Sequence, residues 1–154
     1  MKPAFAWAVF DKATHGVLAT SGSYAIQISP ARIDEIIYFH GAKTGRMRDH
    51  LTNDSSVSLV VVGDVTPSPF DFSVEYESGI FQGHLEIVTD EAEAVAALLA
   101  ITERYTPHMM DHFHQEILLS LPRTSVFRLI PREVTAKRKK FDETGQEIPG
   151  DFSK

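Results

Sequence analysis

The sequence predicts a mainly β, α+β domain built on a small antiparallel barrel of about six strands with flanking helices. Three observations lead there. Short apolar stretches are joined by tight-turn residues, without the repeated strand-helix-strand spacing of a parallel sheet. Val57 to Val62 reads VSLVVV, a continuous β-branched run suited to a strand buried on both faces. Ser73 to Val88 is long for one strand, and its Gly79 and Gly83 suit a bulge or a close backbone approach.

In chain order, Pro3 to Thr14 places Phe5, Ala8 and Val9 on one side at helical spacing, with Pro3 suited to a first turn and His15-Gly16 as the stop. Val17 to Thr20 and Tyr24 to Ile28 are strands joined by the hairpin turn Ser21-Gly22-Ser23. A polar turn at Arg32 to Glu35 leads to a third strand, Ile36 to His40, and then a helix from Arg46 to about Asn53. Gly63 to Pro69, with two prolines, reads as a loop. Asp90 to Tyr105 is the clearest helix: Thr89 or Asp90 can cap it, acidic Glu91 and Glu93 sit at its positive end, and Ala94, Leu98 and Ile101 share a face. His112 to Leu121 forms a further short helix, and Ser125 to Val134 the last strand. The expected domain spans residues 1–137, and 138–154 form a polar tail, partly disordered without a partner to order it.

Composition narrows the function. At 154 residues the chain is one domain able to bury a core alone or across a dimer. A net charge of −6 argues against nucleic acid as partner, because no basic surplus exists to neutralise phosphates along a strand. With no cysteine there are no disulfides, thiolate metal sites or thiol nucleophiles. Asp11 and Lys12 interrupt the first apolar patch before a secretory signal forms, and no apolar run reaches the ~20 residues of a membrane span. The expectation is a soluble, cytoplasmic protein.

The most informative stretch is Ile36 to Leu51, IIYFHGAKTGRMRDHL. A strand that ends in His40-Gly41-Ala42 and turns through Lys43 and Gly45 into a helix at Arg46 gathers backbone N–H groups, a helix dipole and cations at one point. Those are the requirements for holding a phosphate. Alone, such a stretch is more often an ordinary strand-to-helix connection.

Two further segments lie in order with it. They are Tyr76-Glu77-Ser78-Gly79-Ile80-Phe81-Gln82-Gly83, and Val88-Thr89-Asp90-Glu91-Ala92-Glu93 followed by Tyr105-Thr106-Pro107. With Ile37 to Ala42, Gly45-Arg46 and Leu51, the chain from about Ala4 to Lys137 resembles the pyridoxamine 5′-phosphate oxidase-like split β-barrel superfamily, most closely its nitroimidazole-resistance branch. The resemblance implies a six-stranded antiparallel Greek-key split β-barrel that dimerises, with FMN in each of two interface clefts. It further implies that Arg46 grips the FMN phosphate, with the backbone from Ala42 to Met47, and that His40 faces the flavin ring as the candidate catalytic residue. Ile26, Gln27, Gly41, Lys43, Gly45 and Ser78 complete the implied cofactor-binding set.

The sequence departs from the family pattern at three points. Met47 stands where a second basic residue is usual, Ser23 and Gln27 replace prolines around Tyr24, and Gly79 replaces a valine. Loss of one charge-assisted phosphate partner costs ~1.5–3 kcal/mol, which Lys43, Arg48 or a partner subunit's basic group can offset. The expected function is an FMN-dependent oxidoreductase acting on a small aromatic or heteroaromatic molecule. The alternative is a non-catalytic flavin or haem binding or sensing protein, and haem and F420 are the alternative cofactors. A pyridoxamine phosphate oxidase proper is disfavoured, because basic residues for a second phosphate are missing. No metal is expected: His108 and His112, four residues apart with His114 and Glu116 beyond, would share a face on an α-helix, but Pro107 and two methionines suggest a loop or a helix start.

Overall fold

The computed structural model describes residues 2–53 and 55–150. In order, the elements are α1 (Pro3–Lys12), β1 (Gly16–Thr20), β2 (Ala25–Ile28), β3 (Ala31–Ile33), β4 (Ile36–Ala42), α2 (Arg46–Asn53), β5 (Ser56–Pro67), β6 (Val74–Ile87), α3 (Glu91–Tyr105), α4 (Phe113–Ser120) and β7 (Thr124–Lys139). Short 3-10 turns at Pro107–His112 and Leu121–Arg123 flank α4.

All strand pairs are antiparallel, in the order β2-β1-β5-β6-β7-β4-β3. The two edge strands, β2 and β3, are consecutive in sequence and joined by only Ser29 and Pro30. Strands lie ~4.8 Å apart, so a flat seven-stranded sheet would separate its edges by about 29 Å. The link from Ile28 to Ala31 reaches at most about 11 Å. The sheet therefore curls into a half-barrel.

The strand count is seven, not the expected six. Arg32, read as part of a polar turn, lies in the three-residue edge strand β3, paired with Ile37 across a two-residue turn whose Asp34 has φ 54°. An edge strand this short has no periodicity to read, and only its pairing with β4 defines it. The β5 strand also differs from expectation. It runs on through the predicted loop to Pro67, past a register shift between Val62 and Val65, and it alternates: Val57, Leu59 and Val61 are buried while Val62 is exposed. The last strand continues past Val134 to Lys139, and Phe141 bridges Glu147 beyond it, so the start of the predicted tail is ordered against the sheet.

Glycines resolve how the long strands bend. The β6–β7 register shifts between Gln82 and Gly83, opposite Pro131, which lacks a ladder donor, and a side chain at Gly83 would collide with the Ile130 carbonyl. A Cβ at Gly79 would sit 2.9 Å from the Ala6 carbonyl. Helix α1 thus rests directly on the β6 backbone, closing one end of the barrel with Trp7 and Phe10, whose rings lie 4.5 and 5.6 Å from that of Phe81. Phe39, Phe81 and Phe127 fill the interior, and Arg104 of α3 donates to the Ala13 carbonyl at the C-terminal end of α1.

On the other face of β4 and β7, helix α3 packs through Ala94, Leu98 and Ile101, as its spacing predicted, and also through Ala97, with Asp90 accepting from the Glu93 N–H as the cap. Among the described residues no helix is long and apolar enough to cross a membrane.

Candidate functional site

Strand β4 divides its side chains between two environments. Ile37 and Phe39 point into the barrel; Tyr38 joins the α3 layer, and His40, two residues on, projects to that same side. Gly41 faces the barrel again, and the Met47 methyl group occupies the space a side chain there would need. Met47 is therefore packed against the core from the first turn of α2 and presents only its backbone to an anion.

The turn between them has Gly45 at φ 114°, a conformation glycine adopts without steric cost. The Asp49 N–H donates to the Gly45 carbonyl at 3.0 Å as the first bond of α2, so the N–H groups of Arg46, Met47 and Arg48 form the first turn, with no carbonyl of the helix itself to bond. The Lys43 N–H is different: it donates to the Arg123 carbonyl at 3.3 Å and so is committed to the β7 side. Arg46 is exposed at the helix start. Arg48 reaches back, donates to the buried Ser125 hydroxyl and lies 5.8 Å over the Phe127 ring.

Lys43 and Arg48 line a cleft of about 530 Å³ between this turn and the β6–α3 junction, whose far wall includes Val88, Thr89 and the carboxylates Asp90 and Glu91, with Ser125 on the near side. His40 lines a smaller hollow of about 190 Å³ under α3 and α4. Thr124 borders both, so the two spaces adjoin. The His40 ring is solvent-accessible at the mouth but backed by apolar side chains, and this burial lowers its pKa below the usual 6.5. It stands as a neutral imidazole, donor at one nitrogen and acceptor at the other.

Alongside, the Tyr38 hydroxyl donates to Glu93 at 2.9 Å, and Arg128 bonds both Glu93 oxygens at 2.9 and 2.8 Å and Glu86 at 2.7 Å. Arg128 first, then Tyr38, holds the Glu93 carboxyl below its ordinary range. Desolvation and the Glu93 bond push Tyr38 up to about 12, which keeps its phenol a donor. This network clamps α3 to the sheet and so fixes the wall opposite His40.

The remaining predicted residues do not meet His40 within one chain. Gln27 and Ser78 lie on the outer face of the β2-β1-β5-β6 portion of the sheet, where Val17 and Val62 are exposed, while Ile26 points inward against the core. His40 pairs with Val126 of β7, and Ser78 with Lys137 eleven residues later. At ~3.3 Å per residue that is about 36 Å of strand. Two residues that the sequence alone did not place in the site now join it: Ser125, which orients Arg48, and His50, which stacks on Tyr24 at 4.1 Å and ties α2 to the β2 edge. Neither has a motif; both depend on strands distant in sequence.

His108 and His112 sit in a 3-10 turn, where residues four apart point about 120° away from each other. Among the described residues no group of three His, Cys, Asp or Glu side chains converges on a metal position.

A curled antiparallel sheet with a cationic strand-to-helix turn at one end defines the class: a split β-barrel protein. The chain belongs to the pyridoxamine 5′-phosphate oxidase family, whose model matches residues 3–138. No functionally curated protein matches it in sequence. Similar solved structures include a candidate 5-nitroimidazole antibiotic resistance protein from Bacteroides thetaiotaomicron, with TM-score 0.70 and 15% identity over 88% of this chain and 82% of that one. The flavocytochrome Anf3 from Azotobacter vinelandii aligns with TM-score 0.72 and 20% identity over 97% and 71%. The FAD and heme binding protein from Mycobacterium smegmatis aligns with TM-score 0.69 and 21% identity over 93% and 72%. At these identities the likeness establishes the fold.

Proposed function

We propose that this protein is an FMN-binding oxidoreductase, working as a homodimer on a small aromatic or heteroaromatic molecule. The observation that carries it is the pairing of Lys43 and Arg48 on one cleft of about 530 Å³ beside the open first turn of α2. The size suits a cofactor, and the cations with the N–H groups of Arg46 to Arg48 suit its phosphate. Arg48 stands in for the cation that Met47 lacks. It is preorganised by Ser125 and Phe127, so little side-chain entropy is lost on binding.

Bound FMN would supply hydride and electron transfer. The chain's own contribution is to hold and orient. Arg46 and Arg48 fix the phosphate end, Lys43 lines the cleft, and His40 offers a neutral imidazole that can donate a hydrogen bond or carry a proton at Nδ1 or Nε2. Ser78 and Gln27 lie too far along the sheet to serve the same chain's cleft, which supports a second copy whose outer sheet face completes it. Exposed Val17 and Val62 suit that contact. The family and the flavin- and haem-binding structural relatives support the same reading.

The test is the absorbance spectrum of purified protein with mass analysis of the released cofactor, which separates FMN from FAD, haem and F420. A flavin spectrum in wild type, lost in Arg46→Ala, is expected. A protein that stays colourless and takes up no added FMN overturns the proposal.

A further inference from the structure

Past the last residue of α1, Lys12, the β5–β6 hairpin and β7 run on, and their inner face becomes polar. Glu75 and Glu77 of β6 share that face, and Arg138 of β7 is the register partner of Glu77. Opposite charges directly across two strands ordinarily pair. Here they do not: Lys12 takes Glu77, and it bonds Asp64 at 2.8 Å as well. The irregular stretch of β5 after Val62 brings Asp64 in, and its N–H donates to Glu77 at 3.1 Å.

Arg138 is thereby left without a carboxylate. Its guanidinium lies 5.8 Å from the Phe5 ring, its Nη2 donates to the Pro149 carbonyl at 3.2 Å, and its Nε is buried with no hydrogen-bond partner among the described residues. Such a group is destabilising unless something answers it. Nε and Nη2 form one edge of the guanidinium, the fork that a carboxylate fills with two parallel bonds. One carbonyl fills half of it.

The tail builds the remaining wall. After β7 the chain turns at Asp142, whose carboxylate accepts from the Thr144 and Gln146 N–H groups, and returns so that the Ile148 N–H donates to the Lys140 carbonyl at 2.7 Å. Glu75 fastens the start of this turn by accepting from the Phe141 N–H at 2.9 Å, and Gly145 lies against Phe70 of the β5–β6 hairpin. The pocket among these parts measures about 160 Å³, with Thr66, Glu75, Arg138 and Lys140 on its walls. The family match ends at Arg138, so the tail wall lies outside the segment the family accounts for.

Size and charge restrict what enters. A cavity of ~150 Å³ holds benzene, a molecule of about six heavy atoms. A simple anion of that size finds the cations but leaves Glu75 unmatched, and a simple amine does the reverse. Glu75 and Arg138 are diagonal neighbours on paired strands, ~7–8 Å apart at the backbone. A compact zwitterion bridges them.

We propose that this pocket binds a small α-amino acid, with its carboxylate on the Arg138 fork in exchange for the Pro149 carbonyl and its ammonium group on Glu75. Lys12 is a positioning residue: by holding Glu77 and Asp64 it keeps Arg138 unpaired. None of the pocket's residues lines the cleft of Lys43 and Arg48, so the site stands apart from the flavin reading.

The full-length protein is titrated with L-alanine, by calorimetry and by NMR of the Thr66, Glu75 and Phe141 amides. Saturable binding that shifts those amides is expected. Acetate and methylamine, each carrying one of the two charges, should bind at least tenfold more weakly. Arg138→Lys, which keeps the charge but loses the fork, and Glu75→Gln should each weaken L-alanine at least tenfold, with far-UV dichroism confirming that the variant is folded. The ranking of the three ligands on the wild-type protein tests the site even where a variant does not fold. No L-alanine binding in the millimolar range, acetate or methylamine binding as tight as L-alanine, or undiminished binding in either folded variant overturns the proposal. These readouts do not involve the flavin spectrum, so the two readings fail separately.

Discussion

The two ends of the barrel are built by different means. At the α1 end the helix lies on the β6 backbone at Gly79, and Trp7, Phe10 and Phe81 fill the opening with rings in contact. At the α2 end the closure is thinner. Met47 enters over Gly41, Arg48 reaches in to Ser125, and the rest of the turn presents the exposed Lys43 and Arg46 beside the first-turn N–H groups of α2. The first end is filled by aromatic rings and gains its stability from their burial. The second gives up burial and leaves charge accessible, the arrangement that the proposed phosphate site needs. The difference explains how Gly79 and Met47, both departures from the family pattern, can have opposite meanings. Gly79 allows the seal, whereas Met47 supplies apolar closure over Gly41 at the more exposed end.

This contrast is open to direct attack. Phe81→Ala should destabilise most, by ~3–5 kcal/mol in denaturant unfolding, because it removes the ring that both Trp7 and Phe10 touch. Equal loss from Arg46→Ala would break the distinction between the ends; that exposed residue should change stability by no more than about 0.5 kcal/mol. Met47→Lys restores the family's usual cation and should nonetheless lower stability, by ~1–3 kcal/mol, since the ammonium must leave the space over Gly41. Its FMN affinity, measured by fluorescence titration, should not exceed that of wild type.

Arg128→Ala should cost ~1–2 kcal/mol through the half-exposed Glu93 and Glu86 pairs, and should loosen α3 without touching the α1 end, as hydrogen exchange would report. The pH dependence has the matching sign. The pKa of Glu93 is lowered on folding, so its stabilising contribution is present above its unfolded value of about 4.5 and is lost as the pH falls through the folded value. Glu93→Gln should flatten that acid limb. The smallest effect belongs to His40. Its lowered pKa means that the unfolded chain takes up a proton first, so stability should decline slightly as the pH drops below 6.5, with an NMR midpoint below that value. A midpoint above 6.5 would place an anion, not an apolar wall, beside the ring.

What could be read before folding differs between elements for physical reasons. Helix α3 was legible almost to the residue because its cap, its acidic first turn and its apolar stripe are all local signals. The turn from His40 to Arg46 was legible because glycine and charge mark it in sequence. Strand β3 was not, since three residues around Arg32 acquire a conformation only by pairing with β4. The exposure of Val62 was also hidden: a continuous β-branched run looks the same whether one face or two are covered.

By itself, the sequence determined the antiparallel class, the position of the phosphate-suited corner and the cations available to it, because each depends on neighbours within a few residues. Tertiary structure alone decided the rest. It turned Met47 inward and brought Arg48 to Ser125, seventy-seven residues away. It separated Ser78 from His40 by about 36 Å of strand, and it set Glu75 and Arg138 around one pocket. These relations depend on strand register and sheet curl, which are set by long-range pairing and by a two-residue link between the sheet's edges.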